Sequence, residues 1–200
     1  MLGARTERRW PCYVCVVNIP LRTCAVRSWE LRDVDALVTH ANNRNVSINL
    51  RDRFPFPYTR RDGREFIKLA RNMRPESLFA IAVDDEAVGG IGFVLSHDVE
   101  RVSTEVGYWL GEAYWGRGIA TEALVAVTQY AIATHGFTRL FALPFAHNVA
   151  SCRVLEKAGY TLEARLRNSA VKDGRICDQL QYAFIAPEIV RQPSASLPQR

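Results

Sequence analysis

Between Glu105 and Leu143 the chain commits to one supersecondary unit. Glu105 to Leu110 reads as a strand. The stretch Tyr114-Trp115-Gly116-Arg117-Gly118-Ile119-Ala120-Thr121-Glu122-Ala123 follows it and opens a long helical pattern. Leu124, Val127, Tyr130 and Ala131 fall on one face of that helix, which is predicted from Arg117 to His135. Gly136 stands where a left-handed C-cap glycine belongs, and Phe137 can fold back onto the helix. Arg139 to Leu143 is then a short apolar strand. Strand, helix and parallel strand in this order require a crossover, and that crossover is right-handed.

The turn that opens the helix has chemistry of its own. Two glycines flank one arginine where strand becomes helix, and glycine lets a ligand approach the backbone closely. The first N–H groups of a helix lack internal partners and carry the positive end of its dipole. Together these make a phosphate cradle. Two nucleotide motifs are excluded. Gly111 to Gly118 nearly spells a P-loop, but Arg117 and Gly118 stand where that loop needs Lys and then Ser or Thr. Gly90-Ile91-Gly92 lacks the third glycine of a dinucleotide fingerprint and opens no helix.

The stretch resembles motif A of the GNAT acetyltransferases, Q/R-x-x-G-x-G/A, with Trp115, Gly118 and Ala120 in the three motif places. Trp115 departs from the general pattern but is similar to the RimJ/RimL-like branch. That branch's "GYWL…YWGKGIATEA" is nearly repeated by Gly107-Tyr108-Trp109-Leu110 and then Tyr114 onward. The run from His147 to Tyr160 resembles the family's N-x-x-S-x-x-V-L-E-K-x-G-F/Y, through Asn148, Ser151 and Gly159. The resemblance spans about Leu21 to Ile185. It implies an α+β GNAT fold: a mixed, mostly antiparallel sheet, splayed in the middle, with helices on both faces. It also implies acetyl-CoA as co-substrate and no metal.

Composition bounds the rest. Two hundred residues, 48% of them hydrophobic, can bury one sizeable core. The net charge of +5 favours anionic ligands but is too mild to argue nucleic-acid binding. No aromatic-plus-basic RNA motif supports an RNA-associated protein. Five cysteines at scattered spacing argue for a reducing cytosol over a disulfide framework. Cys12-x-x-Cys15 has no second pair to complete a zinc site. No apolar run is long enough to span a bilayer, so the expected setting is cytoplasmic, as monomer or homodimer. Residues 1–18 read as an extension, 19–186 as the domain, and 187–200 as a polar tail.

In chain order, Leu21 to Trp29 predicts a first strand, and Asp33 a helix N-cap before Ala36 and Leu37, with the helix failing near Asn42-Asn43. Phe54-Pro55-Phe56-Pro57-Tyr58-Thr59 is an aromatic loop, with Thr59 capping the next helix. Its rings either form a binding wall or pin the loop. Leu78 to Val83, a turn at Asp84-Asp85-Glu86, Ala87 to Ser96, and Val102 to Leu110 suggest an antiparallel meander. Tyr160 to Val171 and Arg175 to Ile185 form a closing hairpin around Lys172-Asp173-Gly174.

The implied reaction moves an acetyl group from a thioester to an amine. By resemblance, Gly116, Arg117, Gly118, Ile119, Ala120 and Thr121 hold the pyrophosphate, and Asn148 and Ser151 line the CoA side. The family's oxyanion donor is a backbone N–H in the strand before motif A, which here points to Trp109 and Leu110. Glu105 is the candidate base and His147 an alternative. Ser151 is the candidate for protonating the thiolate, or else a first-turn helix hydroxyl. Phe54, Phe56 and Tyr58 are assigned to the acceptor side, and Asp178 to ordering the amine. An α-amine of pKa about 7.7–8.0 is far more often free at neutral pH than a lysine amine of about 10.4, so an N-terminal acceptor needs only a weak base. The acceptor is a protein N-terminus, ribosomal proteins among them, or a small amine such as an antibiotic or polyamine. A non-catalytic acyl-CoA-binding module is the rival reading.

Overall fold

The computed structural model describes residues 16–187. The expected extension and tail fall almost wholly outside these residues, as does Cys12-x-x-Cys15. The described chain runs β1 (Asn18–Pro20), β2 (Ala25–Ser28), α1 (Val34–Ala41), α2 (Arg44–Ser47), α3 (Arg60–Asn72), β3 (Leu78–Val83), β4 (Glu86–Phe93), β5 (Ser103–Leu110), α4 (Ile119–His135), β6 (Arg139–Ala142), α5 (Val149–Lys157), β7 (Thr161–Lys172) and β8 (Arg175–Ile185).

All eight strands form one sheet in the order β1-β2-β3-β4-β5-β6-β8-β7. Every neighbouring pair is antiparallel except β5 with β6, which is parallel. This is the crossover required by the strand, helix and strand order. The first strand, expected from Leu21 to Trp29, is shorter and begins only at Ala25, with β1 lying before it. The Leu21 N–H bonds back to the Cys24 carbonyl at 2.8 Å, so Leu21 to Cys24 is a turn joining β1 to β2.

Local signals explain several boundaries. Asp84 and Asp85 both take positive φ, 50° and 68°, the two-residue turn that matches hairpin twist. Thr59 and Asp62 form a reciprocal capping box at the start of α3. Asp33 does not cap α1 with its side chain. Its carboxylate instead accepts two guanidinium N–H bonds from Arg27, each 2.8 Å, and the Glu30 N–H at 2.8 Å. Strand β2 delivers Arg27 to this buried place, and a buried charge must be paired.

Two apolar layers cover the two faces. On one, Val26, Phe79, Ile81, Val88, Ile91, Phe93, Val106 and Leu110 pack with Ile119, Leu124 and Val127 of α4 and Leu155 of α5. On the other, Trp29, Ala80 and Ala87 pack with Leu37 of α1 and Ile67 of α3. The sheet is mixed, mostly antiparallel, and carries helices on both faces.

Candidate active site

The glycine turn is built as its sequence suggests, with one change of boundary. Gly116 and Gly118 take φ of 73° and 79°, the left-handed region that only glycine enters freely. A Cβ at either would meet nothing within 4 Å, so both face open space. Helix α4 begins at Ile119, two residues later than predicted, because the left-handed Gly118 cannot continue a right-handed helix. The Glu122 N–H bonds to the Gly118 carbonyl at 3.1 Å, the first bond of the helix. The N–H groups of Ile119, Ala120 and Thr121 therefore point out of the helix end.

Side chains stiffen this turn. The Trp115 indole N–H donates to the Leu110 carbonyl at 2.8 Å, tying the turn to the end of β5. The Arg117 guanidinium lies 5.2 Å from the centroid of the Tyr114 ring. Glu122, the one acidic residue of the first turn, is already engaged. It accepts from the Thr23 hydroxyl at 2.7 Å, the Thr23 N–H at 3.0 Å and Arg22 at 2.7 Å. The Thr23 hydroxyl, ahead of the other partners, holds its carboxyl below the usual range.

Strand β5 splits the sheet. It pairs with β6 only through Ser103, Thr104 and Glu105, while its pairing with β4 runs from Val106 to Leu110. The Val94 N–H bonds to the Glu105 carbonyl at 3.0 Å, and the Gly111 N–H to the Val88 carbonyl at 2.8 Å. Odd-numbered backbone groups along β5 thus point to β4, and even-numbered ones point away. Beyond Glu105 the away side has no strand among the described residues. Val106, Tyr108 and Leu110 turn their backbone groups into the gap, and the Leu110 carbonyl is taken by Trp115. The Leu110 backbone thus faces the gap, whereas the Trp109 backbone points to β4. Tyr108 replaces Trp109 at the gap.

The same two-residue period separates the side chains. Tyr108 reaches toward α5, where its hydroxyl lies 2.8 Å from the Ser151 Oγ and donates to the Ser151 carbonyl at 3.1 Å. Burial, ahead of this hydrogen bond, pushes the Tyr108 phenol well above its ordinary value, so it stays protonated. Asn148 caps α5 by accepting the Ser151 N–H at 3.1 Å, which fixes Ser151 in the first turn. Ser151 was a candidate from the sequence, and the structure sets Tyr108, which was not, against it. Parity along the strand was the available signal, since Tyr108 and Glu105 must lie on opposite faces.

On the other face stand Glu105, Gly107 and Trp109. A Cβ at Gly107 would meet nothing within 4 Å, so space opens between the carboxylate and the indole. Glu105 pairs with Arg51 from the segment after α2. The Phe54 ring lies 5.5 Å from the Trp109 ring, and Phe56 is 47% exposed with Arg44 over its face. Phe54 and Phe56 can act as walls. Tyr58 cannot, because it is 5% exposed and belongs to the core under α1 and α3. Asp178 is also engaged elsewhere. It accepts from Arg165 at 2.7 Å and from the Asn168 N–H at 2.9 Å, bracing an irregular stretch of β7. The Asn168 N–H, then Arg165, holds its carboxyl below the usual range. The His147 ring stacks on Phe145, centroids 5.5 Å apart. Among the described residues no group of His, Cys, Asp and Glu could hold a metal ion.

A mixed sheet split after one short parallel pairing, with a glycine-opened helix at the end of the split strand, is the architecture of the GNAT N-acetyltransferases. The chain belongs to that family: an acetyltransferase (GNAT) domain model matches residues 24–161. It is 28% identical over 171 residues to the N-acetyltransferase p20 of Bacillus licheniformis, covering 82% of this chain and 93% of that one. It is 31% identical over 109 residues to the ribosomal-protein-serine acetyltransferase of Escherichia coli, covering 54% of this chain and 60% of that one. Among solved structures, RimL, a ribosomal alpha-N-protein acetyltransferase in complex with coenzyme A, superposes with a TM-score of 0.75. It is 22% identical and covers 84% of this chain and 98% of that one. A microcin self-immunity acetyltransferase in complex with acetyl-CoA and AMP gives 0.73 at 21% identity, over 83% and 94% of the two chains. The protein is an acyltransferase, and ribosomal-protein acetyltransferases are among the proteins it is similar to. No described helix is long and apolar enough to cross a membrane.

Proposed function

We propose that this enzyme transfers the acetyl group of acetyl-CoA to a primary amine, with a protein N-terminal α-amine as the preferred acceptor. The observation that carries the acetyl-CoA half is the continuity from the open left-handed turn at Gly116 and Gly118 to the strand edge at Tyr108 and Leu110. Pyrophosphate oxygens fit the free N–H groups of Ile119, Ala120 and Thr121, with Arg117 beside them. The arm then runs along the β5 edge, where backbone N–H groups would complement the thioester oxygen as it gains charge.

Opposite faces of β5 divide the chemistry. The amine comes from the Glu105 face, over Gly107, and its nitrogen forms the new bond to the acetyl carbon while losing a proton. Glu105, directly or through water, takes that proton. The C–S bond breaks toward α5, where the Ser151 and Tyr108 hydroxyls can protonate the leaving thiolate. Holding amine and thioester together supplies much of the rate.

The α-amine preference is supported by the likeness to the E. coli ribosomal-protein-serine enzyme and by the small demand such an amine makes on a base. A small-molecule amine is the second reading, favoured by the structural likeness to the microcin self-immunity enzyme. The deciding experiment is an acetyl-CoA turnover screen against peptides with free N-termini, the same peptides blocked at the α-amine but carrying lysine, and small amines including spermidine. Turnover confined to free N-termini supports the proposal. Turnover with small amines alone replaces it with the second reading.

A further inference from the structure

Among the described residues, three ion pairs tie the segment from Arg44 to Asp52 to both sides of the split. Arg44 pairs with Asp173, and Asp52 with Lys172 at 2.8 Å. Both partners belong to the tip of the β7–β8 hairpin, in the half of the sheet that contains β6. Arg51 pairs with Glu105 of β5, in the other half. The segment is therefore a strap laid from the hairpin tip to the split strand.

Its fastenings are unequal. The Asp52 carboxylate is 77% exposed but the Lys172 side chain only 8%, so removing Asp52 would strand a buried ammonium. That pair holds the backbone next to Arg51 in place. The Arg51 and Glu105 side chains are 46% and 24% exposed, and a pair so wetted exchanges readily. The open space over Gly107 adjoins the same carboxylate. An amine reaches the enzyme largely as an ammonium, and the anion it would meet there is already neutralised by this protein's own cation.

We infer that Arg51 is a built-in competitor for the acceptor. Its guanidinium occupies Glu105 in the free enzyme, the acceptor's ammonium displaces it, and the side chain swings to solvent while the Asp52–Lys172 pair keeps the strap fastened. Arg51 thereby sets acceptor affinity and limits entry to groups that carry a cation. This rests on the acyl-transfer reading of the same site and adds no covalent step to it.

The test is steady-state kinetics of the full chain, with acetyl-CoA and either a short peptide bearing a free N-terminal serine or spermidine. Wild type, Arg51→Met and Arg51→Lys are compared, after thermal melts establish that each is folded. Arg51→Met is expected to lower the acceptor KM about two- to fivefold, the range of an exposed ion pair, with the KM for acetyl-CoA unchanged. Arg51→Lys, which restores a cation, should return the acceptor KM toward wild type. An acceptor KM that is unchanged or raised in Arg51→Met overturns the inference, a rise meaning that Arg51 binds the acceptor. Absence of turnover by all three proteins, with CoA still bound, overturns the acyl-transfer reading and this inference with it.

Discussion

Single residues in this protein carry two kinds of burden. Arg27 and Asp33 are a buried bidentate pair, their side chains 8% and 4% exposed, that joins β2 to the turn before α1. Removing Asp33 leaves the buried guanidinium with only the more exposed carboxylates of Asp85 at 3.6 Å and Glu30 at 4.0 Å, so Asp33→Asn should lower stability by about 3 kcal/mol in urea unfolding. Arg27→Met with Asp33→Leu should recover most of that loss, since neither charge then remains. A double variant as unstable as the single would mean that packing, not charge, sets the cost. Tyr108 carries a chemical burden instead under the proposed reaction. Tyr108→Phe keeps the ring but removes the hydroxyl held 2.8 Å from the Ser151 Oγ. Its kcat should fall about tenfold or more, with CoA affinity little changed. An unchanged kcat would leave the thiolate to Ser151 or to water.

At the scale of elements, α4 offers a comparison within one helix. Gly118 begins it at φ 79° and Gly136 ends it at φ 67°, and a Cβ at either would meet nothing within 4 Å. The backbone burden is thus equal, and alanine at either position should lower stability by about 1 kcal/mol. Only the Gly118 end presents free N–H groups and the positive end of the dipole. Calorimetric titration of CoA should therefore find wild-type affinity in Gly136→Val, whereas Gly118→Val should lose CoA binding in protein that remains folded. Wild-type affinity in Gly118→Val would refute the cradle.

For the whole molecule, the sheet is a pair of halves joined along β5 and β6 by only three residue pairs. The apolar layer under α4 and α5 spans that join, taking Val106 from one half and Leu140, Ala142 and Tyr182 from the other. Burial on one face thus holds the halves together while the gap stays open at the strand edge. Tyrosines in these layers make stability sensitive to alkali. Burial pushes the Tyr58 and Tyr160 phenols from the ordinary 10.0 up to about 12. The folded state then binds more protons than the unfolded chain above pH 10, so unfolding free energy falls as pH rises. Stability should be flat with respect to these groups below about pH 10 and decline between about pH 10 and 12. Tyrosinate absorbance should rise first for exposed phenols and a second time together with loss of helix signal. A second rise that precedes unfolding would show that these rings ionise inside the native fold.

What the sequence determined is whatever short-range chemistry enforces. Left-handed glycines at 116, 118 and 136, the Thr59 cap and the Asp84-Asp85 turn all act within a few residues, so each was legible in order. The crossover from β5 to β6 was legible because strand, helix and strand admit one handedness. Tertiary structure alone decided where the sheet opens, because register between strands far apart in sequence is a property of the pair and not of either strand. From that register follow the exchange of Trp109 for Tyr108 at the gap and the opposition of Glu105 to Ser151 across β5. It decided that Tyr58 is core and that Asp178 braces a hairpin, since burial and partners come from other elements. It also laid Arg51 on Glu105, a pairing between residues 54 apart in sequence that no local pattern encodes.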